Sequence, residues 1–117
     1  MPSFDAAGPF EGESITLAGS AARGPSGSGS PYVMGARSTL RLTLAVTAAS
    51  GTTPNLVLTV ETSPDGTTWY SAGTFAAKTG VSSERKSFSG LDRYARATWA
   101  ITGTTPSFTF SVAGEAV

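Results

Sequence analysis

Gly51-Thr52-Thr53-Pro54-Asn55-Leu56-Val57-Leu58-Thr59-Val60 returns 52 positions later as Gly103-Thr104-Thr105-Pro106-Ser107-Phe108-Thr109-Phe110-Ser111-Val112. Each copy is a turn-forming Gly-Thr-Thr-Pro followed by strict apolar/polar alternation. Alternation with period two places Leu56, Leu58 and Val60, and again Phe108, Phe110 and Val112, on one face of an extended strand. The repeat therefore predicts an antiparallel β domain with two similar hairpins whose corners occupy equivalent positions. Proline has no N–H to give to a ladder, so Pro54 and Pro106 are expected at strand entries.

The same alternation extends outward from both copies. Leu40, Leu42, Leu44 and Val46 share one parity, opposite to Arg41, Thr43 and Ala45. Ser63-Pro64-Asp65-Gly66 reads as a tight turn, with Pro presetting φ and Gly free to take φ > 0. Thr68 to Phe75 and the more polar Ser82 to Ser89 follow as strands, then Gly90-Leu91-Asp92 as a turn. Ala95, Ala97, Trp99 and Ile101 form the inward face of the next strand, with Tyr94, Arg96 and Thr98 outward. No window carries the 3.6-residue period of an amphipathic helix. About seven strands at this spacing predict an all-β, small antiparallel β-sandwich of jelly-roll or Ig-like type. Its expected core includes Leu42, Leu44, Leu58, Val60, Trp69, Trp99, Phe108 and Phe110.

Residues 1–36 differ from the remainder. They hold half of the 14 glycines and four of the seven prolines. The stretch Arg23-Gly24-Pro25-Ser26-Gly27-Ser28-Gly29-Ser30-Pro31 reads as a linker. Glu13 to Ala21 alternates weakly and is expected as one edge strand at most. The division is therefore a flexible or extended N-terminal arm over 1–36 and a sandwich domain over 37–117. Phe4, Phe10, Tyr32 and Met34 are apolar side chains scattered along that arm. They are the candidate assembly contacts, either on a neighbouring subunit or back on the chain's own domain.

Composition narrows the chemistry. The 117 residues include no Cys and no His, which removes disulfides, thiol chemistry, the usual zinc sites and His general bases. Eight basic and eight acidic residues cancel, so no electrostatic funnel for nucleic acid or an anionic membrane is expected. Charged residues are 14% of the chain, against about 25% in ordinary soluble domains. A surface built instead from Ser, Thr, Gly and Ala is weakly protected against association. The N-terminus carries neither the basic nor the apolar region of a secretory signal, and no apolar run reaches the ~20 residues of a membrane helix. No cofactor, no metal site and no catalytic residue is expected: no acid pair has a spacing that points to glycosidase chemistry, and no glycine-rich loop opens a helix. Trp69, Tyr70 and Tyr94 are the candidate platform for a carbohydrate.

Val60-Glu61-Thr62-Ser63-Pro64-Asp65-Gly66-Thr67-Thr68-Trp69, Phe75, Gly90-Leu91-Asp92-Arg93-Tyr94-Ala95-Arg96-Ala97 and Gly103 to Gly114 together resemble small virion proteins of tailed phages, mostly of actinobacterial hosts. The resemblance spans Leu40 to Val117. Within that group, sandwich proteins that decorate or cement the capsid are the nearest functional match. It implies a structural, non-enzymatic protein made in the host cytoplasm and carried on the virion surface. Its implied partners are the major capsid protein and copies of itself, a trimer fitting closed symmetry. The alternative is a tail- or fibre-associated module that recognises host surface carbohydrate. Exposed aromatic residues clustered on one face would favour the second reading; buried Trp69 and Trp99 would favour the first.

Overall fold

The computed structural model describes residues 13–117. Seven strands lie in this range: β1 Glu13–Arg23, β2 Gly27–Ser28, β3 Tyr32–Val33, β4 Leu40–Ser63, β5 Tyr70–Thr74, β6 Ser82–Phe88 and β7 Tyr94–Ala116. All pairings are antiparallel and all strands join one sheet. The all-β expectation holds. The two Gly-Thr-Thr-Pro segments are not strand entries, however. They lie in the middle of β4 and β7, strands of 24 and 23 residues.

These segments are where the long strands bend. Gly51 and Gly103 have φ of 109° and 125°, and Thr53 and Thr105 have φ of 47° and 45°. Positive φ turns the chain out of the extended course, and a Thr held there is strained by roughly 1–2 kcal/mol. The adjacent prolines can sit inside a strand because the ladder shifts register at the bends, between Ser50 and Thr52 and between Thr52 and Asn55. The corners also cross each other closely. A Cβ on Gly51 would stand 2.7 Å from the Thr105 carbonyl oxygen, and one on Gly103 would stand 2.8 Å from that of Thr53. Glycine is therefore required at both places for conformation and for backbone approach.

Each long strand thus contributes to two layers. The first half of β4 pairs with the second half of β7, flanked by β6 and β1. The second half of β4 pairs with the first half of β7, flanked by β5 and by β2 with β3. One sheet folded at two corners makes the sandwich. Inward residues from both layers form a single core, with Leu40, Leu44, Leu56, Leu58, Val60, Phe108, Phe110 and Val112 all fully enclosed. Phe75 and Phe88 close one side edge-to-face, with centroids 5.4 Å apart.

The 52-residue repeat is a symmetry of this sheet. Displacing both partners by that interval carries the pair Leu56–Ile101 onto Phe108–Ala49, and Asn55–Thr102 onto Ser107–Ser50. The flanking strands obey the same relation. β5 lies beside β4 as β1 lies beside β7, and each carries a bulge at the equivalent step, Val60/Glu61 in one and Val112/Ala113 in the other. Residues 13–63 and 70–116 are two copies of one three-part unit: flanking strand, second flanking strand, long bent strand. The corners lie beside the local two-fold axis that relates them.

The arm boundary moves. Residues 13–36 contain β1, β2 and β3, and Ile15, Leu17, Ala18 and Met34 belong to the core. The glycines that read as linker are packing positions: the Gly29 N–H donates to the Ala97 carbonyl at 2.8 Å, and a Cβ there would stand 2.4 Å from the Leu17 carbonyl oxygen. Trp69 and Trp99 are half-buried, not core.

The turn at 63–68 follows its sequence. Gly66 has φ of 82° and lies against the Tyr94 ring, 3.5 Å from where a Cβ would stand. The Ser63 hydroxyl accepts from the Gly66 N–H at 2.8 Å and donates to Asp65 Oδ1 at 3.0 Å. Gly66→Val is expected to destabilise the protein by more than about 1 kcal/mol, measured as a lower denaturant midpoint at unchanged slope. An unchanged midpoint would show that the turn tolerates a β-branched residue.

Candidate functional site

The outer face of the layer containing β5 carries a cluster of aromatic and charged side chains. Alternation sends Glu61, Tyr94 and Arg96 outward from β4 and β7. The Arg96 Nε donates to Glu61 Oε1 at 2.9 Å, and the guanidinium lies 4.2 Å from the centre of the Trp69 ring. Such stacking on a Trp face contributes about 0.5–1 kcal/mol at a partly exposed site. Arg93 lies 5.8 Å from the Tyr94 ring. Trp69 and Tyr94 therefore share the outer face, both half-buried. Tyr70 pairs with Thr62 and stands 57% exposed with the opposite parity. The three residues of the candidate sugar platform do not form one plane, and the Arg96 guanidinium covers a face of Trp69.

The internal symmetry supplies a control. The positions equivalent to the pair Glu61–Arg96 hold Ala113–Thr43, and those equivalent to Ser63–Tyr94 hold Glu115–Arg41. The position equivalent to Trp69 is Ser14. One half of the molecule folds with small or polar residues where the other places a Trp–Arg–Glu stack, so the architecture itself does not demand the stack. Locally it pins the 63–69 turn to the sheet.

The candidate assembly contacts divide three ways. Phe4 and Phe10 lie outside the described residues. Met34 is 1% exposed and fills the core beneath β3, so it cannot serve as a contact with another molecule. Tyr32 is half-buried; its hydroxyl donates to Glu13 Oε1, and burial together with the neighbouring carboxylate raises its pKa above the ordinary value. Glu13 also lies 3.4 Å from the Arg37 guanidinium. Sequence reasoning missed Arg23, which the linker reading had hidden. Its guanidinium lies 4.8 Å from the Trp99 ring centre and 4.4 Å from that of Phe110, and it donates to the carbonyls of Phe110 and Gly19 at 2.9 and 2.6 Å. A groove of about 560 Å³ runs beside it between β1 and the β2–β3 segment, lined by Leu17, Ser28, Tyr32 and Trp99 among others.

The carboxylates have structural roles. Asp65 accepts from the N–H groups of Thr67 and Thr68, both at 2.9 Å; these bonds and the Ser63 hydroxyl hold its pKa far below the usual carboxylate range. Glu84 receives Lys78 Nζ at 2.6 Å and the Ala76 N–H at 3.0 Å. The Lys78 side chain is only 10% exposed, and its backbone pairs with Leu56. The pair therefore fastens the 75–81 segment across the sandwich. The Lys78 hydrogen bond lowers the Glu84 pKa against an opposing effect of burial. A depressed carboxylate pKa contributes stability above the unfolded-state value, about 4.3 for Glu, and loses it as pH falls through the folded-state value. Glu84→Gln is expected to lower stability at neutral pH by about 1–3 kcal/mol, since Lys78 is left without its counter-charge. The difference from the parent should shrink below pH 4. A gap constant with pH would remove the ion pair as its cause.

Among the described residues no group of three or more Asp and Glu side chains could hold a metal ion, and no helix is long and apolar enough to cross a membrane. No protein-family model matches the chain and no curated protein matches it.

Proposed function

We propose that the protein is a virion structural protein of a tailed phage, one that decorates the outside of the head shell and stabilises it. The observation that carries the reading is the nature of its broad faces. Outward positions are mostly Ser, Thr and Ala, and two ion pairs cross them, Arg41 to Glu115 and Arg96 to Glu61. A face built mostly of small, uncharged side chains loses little solvation when covered, and area rather than a few strong contacts supplies the binding. The resemblance over Leu40 to Val117 gives that covering partner a class, the major capsid protein, with copies of the chain itself as a second partner.

The rival reading is a tail or fibre module that binds host carbohydrate. Trp69 and Tyr94 on one outer face favour it; Arg96 over the Trp69 ring and the divergent placement of Tyr70 count against it. Purified protein should be titrated onto head shells that lack it, with occupancy read by electron microscopy and shell melting by calorimetry. Saturable occupancy with a raised shell melting temperature is the expected result. Absence of occupancy, with binding to host cell-wall polysaccharide that Trp69→Ala abolishes, would replace this reading with the rival.

A further inference from the structure

Arg23 and Lys78 occupy equivalent places in the two halves. Arg23 pairs with Phe108 and Lys78 with Leu56, and Leu56 and Phe108 correspond in the repeat. Lys78 is neutralised where it stands: Glu84, which pairs with Leu44, meets its ammonium at 2.6 Å. Leu44 pairs with Val112 as Ala97 pairs with Val60, so Ala97 is the counterpart of Leu44. The residue beside Ala97 is Gly29, whose N–H donates to its carbonyl at 2.8 Å. Gly29 therefore stands where Glu84 stands in the other half. A side chain there would strike the Leu17 carbonyl oxygen, so the chain cannot supply the missing carboxylate from that position.

Arg23 is left as a cation without a counter-charge. Among the described residues no carboxylate pairs with it. Its acceptors are uncharged carbonyls: Nη1 donates to those of Ala21 and Phe110, and Nη2 to that of Gly19. The Nε–H and one Nη2–H remain without an acceptor among the described residues. The Trp99 and Phe110 rings give it cation–π contact but no negative charge. Burial works against the charge, and a charge drawn out of water without its counter-charge is costly. The one acid of β1, Glu13, is engaged by the Tyr32 hydroxyl and by Arg37. The groove of about 560 Å³ opens at this place, with Arg23, Gly29 and Leu17 in its lining. A second hollow of about 340 Å³ shares its wall of Arg23, Ser28 and Trp99.

We propose that this groove binds a carboxylate presented by another protein, a Glu side chain that takes the place Glu84 holds in the other half. The carboxylate accepts from the two unused guanidinium donors of Arg23, the pairing for which a guanidinium is better suited than an ammonium. Ser28 and Ser30 line the same groove and offer hydroxyl donors. Lys78 and Glu84 supply the template: a Glu arm of one segment spans to a cation at this position of the fold. The groove is thus the interface where a partner completes an ion pair that the chain completes for itself on the opposite side. The proposal is independent of the capsid reading.

Nuclear magnetic resonance titration of the full chain tests it, with N-acetyl-glutamate α-amide as the probe and N-acetyl-glutamine α-amide as its uncharged counterpart. The Trp99 indole N–H and the Gly29 amide should shift saturably with the glutamate probe, with a dissociation constant in the millimolar range. The glutamine probe should bind at least about ten-fold more weakly, because the charge-assisted bonds to Arg23 are lost. Ser30→Glu places a carboxylate on the groove wall and should weaken the glutamate probe by a similar factor while leaving the melting temperature at or above that of the parent. Arg23→Lys should weaken it at least about five-fold, since an ammonium lacks the fork. Equal response to the two probes, or parent-like binding by Ser30→Glu, would overturn the proposal. Tighter binding of glucuronate than of the glutamate probe would also overturn it, by assigning the groove to an acidic sugar.

Discussion

Phe110→Ala is expected to lower stability by about 3–5 kcal/mol, the usual cost of truncating an enclosed Phe. The side chain is fully buried. Its ring meets Trp99 edge-to-face at 5.4 Å and underlies the Arg23 guanidinium at 4.4 Å. Truncation opens a cavity at the junction of three strands, because Phe110 pairs with Val46 on one side and Ala21 on the other. For a domain whose whole stability is about 5–15 kcal/mol, this is a large fraction. Each kcal/mol moves the melting temperature of a domain near this size by roughly 4–8 °C, so a fall of more than about 12 °C is expected by thermal circular dichroism. Trp99→Ala should cost less, since the indole is half-exposed and Arg23 keeps its contact with Phe110. A Phe110→Ala protein melting with the parent would mean that the inward face of β7 has been misassigned.

The inward faces were legible because alternation is strict in β4 and β7. Every residue from Leu40 to Val60 expected on the inward parity is buried, and so are Ala95, Ala97, Phe108 and Phe110. The repeat was legible as a repeat, but its meaning was not. A Gly-Thr-Thr-Pro before an alternating run reads as a turn that begins a strand, since proline interrupts a ladder. Here the ladder shifts register at that point, positive φ at Gly and Thr bends the strand, and pairing resumes on the other layer. That outcome depends on the partner corner arriving from 52 residues away, which no local pattern contains. Trp69 and Trp99 stand nearer the surface than expected: each indole covers the sheet margin under an arginine, Trp69 beside Arg96 and Trp99 beside Arg23.

The site was legible only in part. Trp69 and Tyr94 do share a face, as their positions around the turn imply. Tyr70 leaves them because it follows Trp69 directly, and successive residues of an extended segment face opposite ways. Arg23 was hidden by its neighbours: Gly24, Pro25, Gly27 and Gly29 are the composition of a linker. Gly24 and Gly29 are glycines because the segment passes close to the backbones of β7 and β1, and close backbone approach and flexibility require the same residue.

Removing residues 1–30 is expected to unfold the protein, whereas removing residues 1–12 is expected to leave it folded. The longer deletion takes all of β1 and β2. β1 pairs with β7 from Glu13–Ala116 to Arg23–Phe108 and buries Ile15, Leu17 and Ala18. Burying an Ile or a Leu stabilises by about 1.5–3 kcal/mol each, and the deletion would also leave the β7 edge unpaired over Phe108, Phe110 and Val112. Arg23, which closes the Trp99–Phe110 stack, goes with it. The sum is comparable to the whole stability of a domain this size. The internal symmetry makes the same point: β1 stands to β7 as β5 stands to β4, and a sandwich without β1 lacks one of its four flanks. The shorter deletion ends before Glu13, so the Arg37 pairing and all seven strands of the described residues remain, and its melting temperature should stay within a few degrees of the parent. Both proteins should be compared by near-ultraviolet circular dichroism and thermal melting. A 31–117 protein that melts like the parent would restore the original division at residue 36 and demote β1 to an accessory strand. A 13–117 protein that fails to fold would place the N-terminal segment in the core. Only the shorter deletion can report on shell occupancy, because loss of binding by an unfolded chain says nothing about which surface binds.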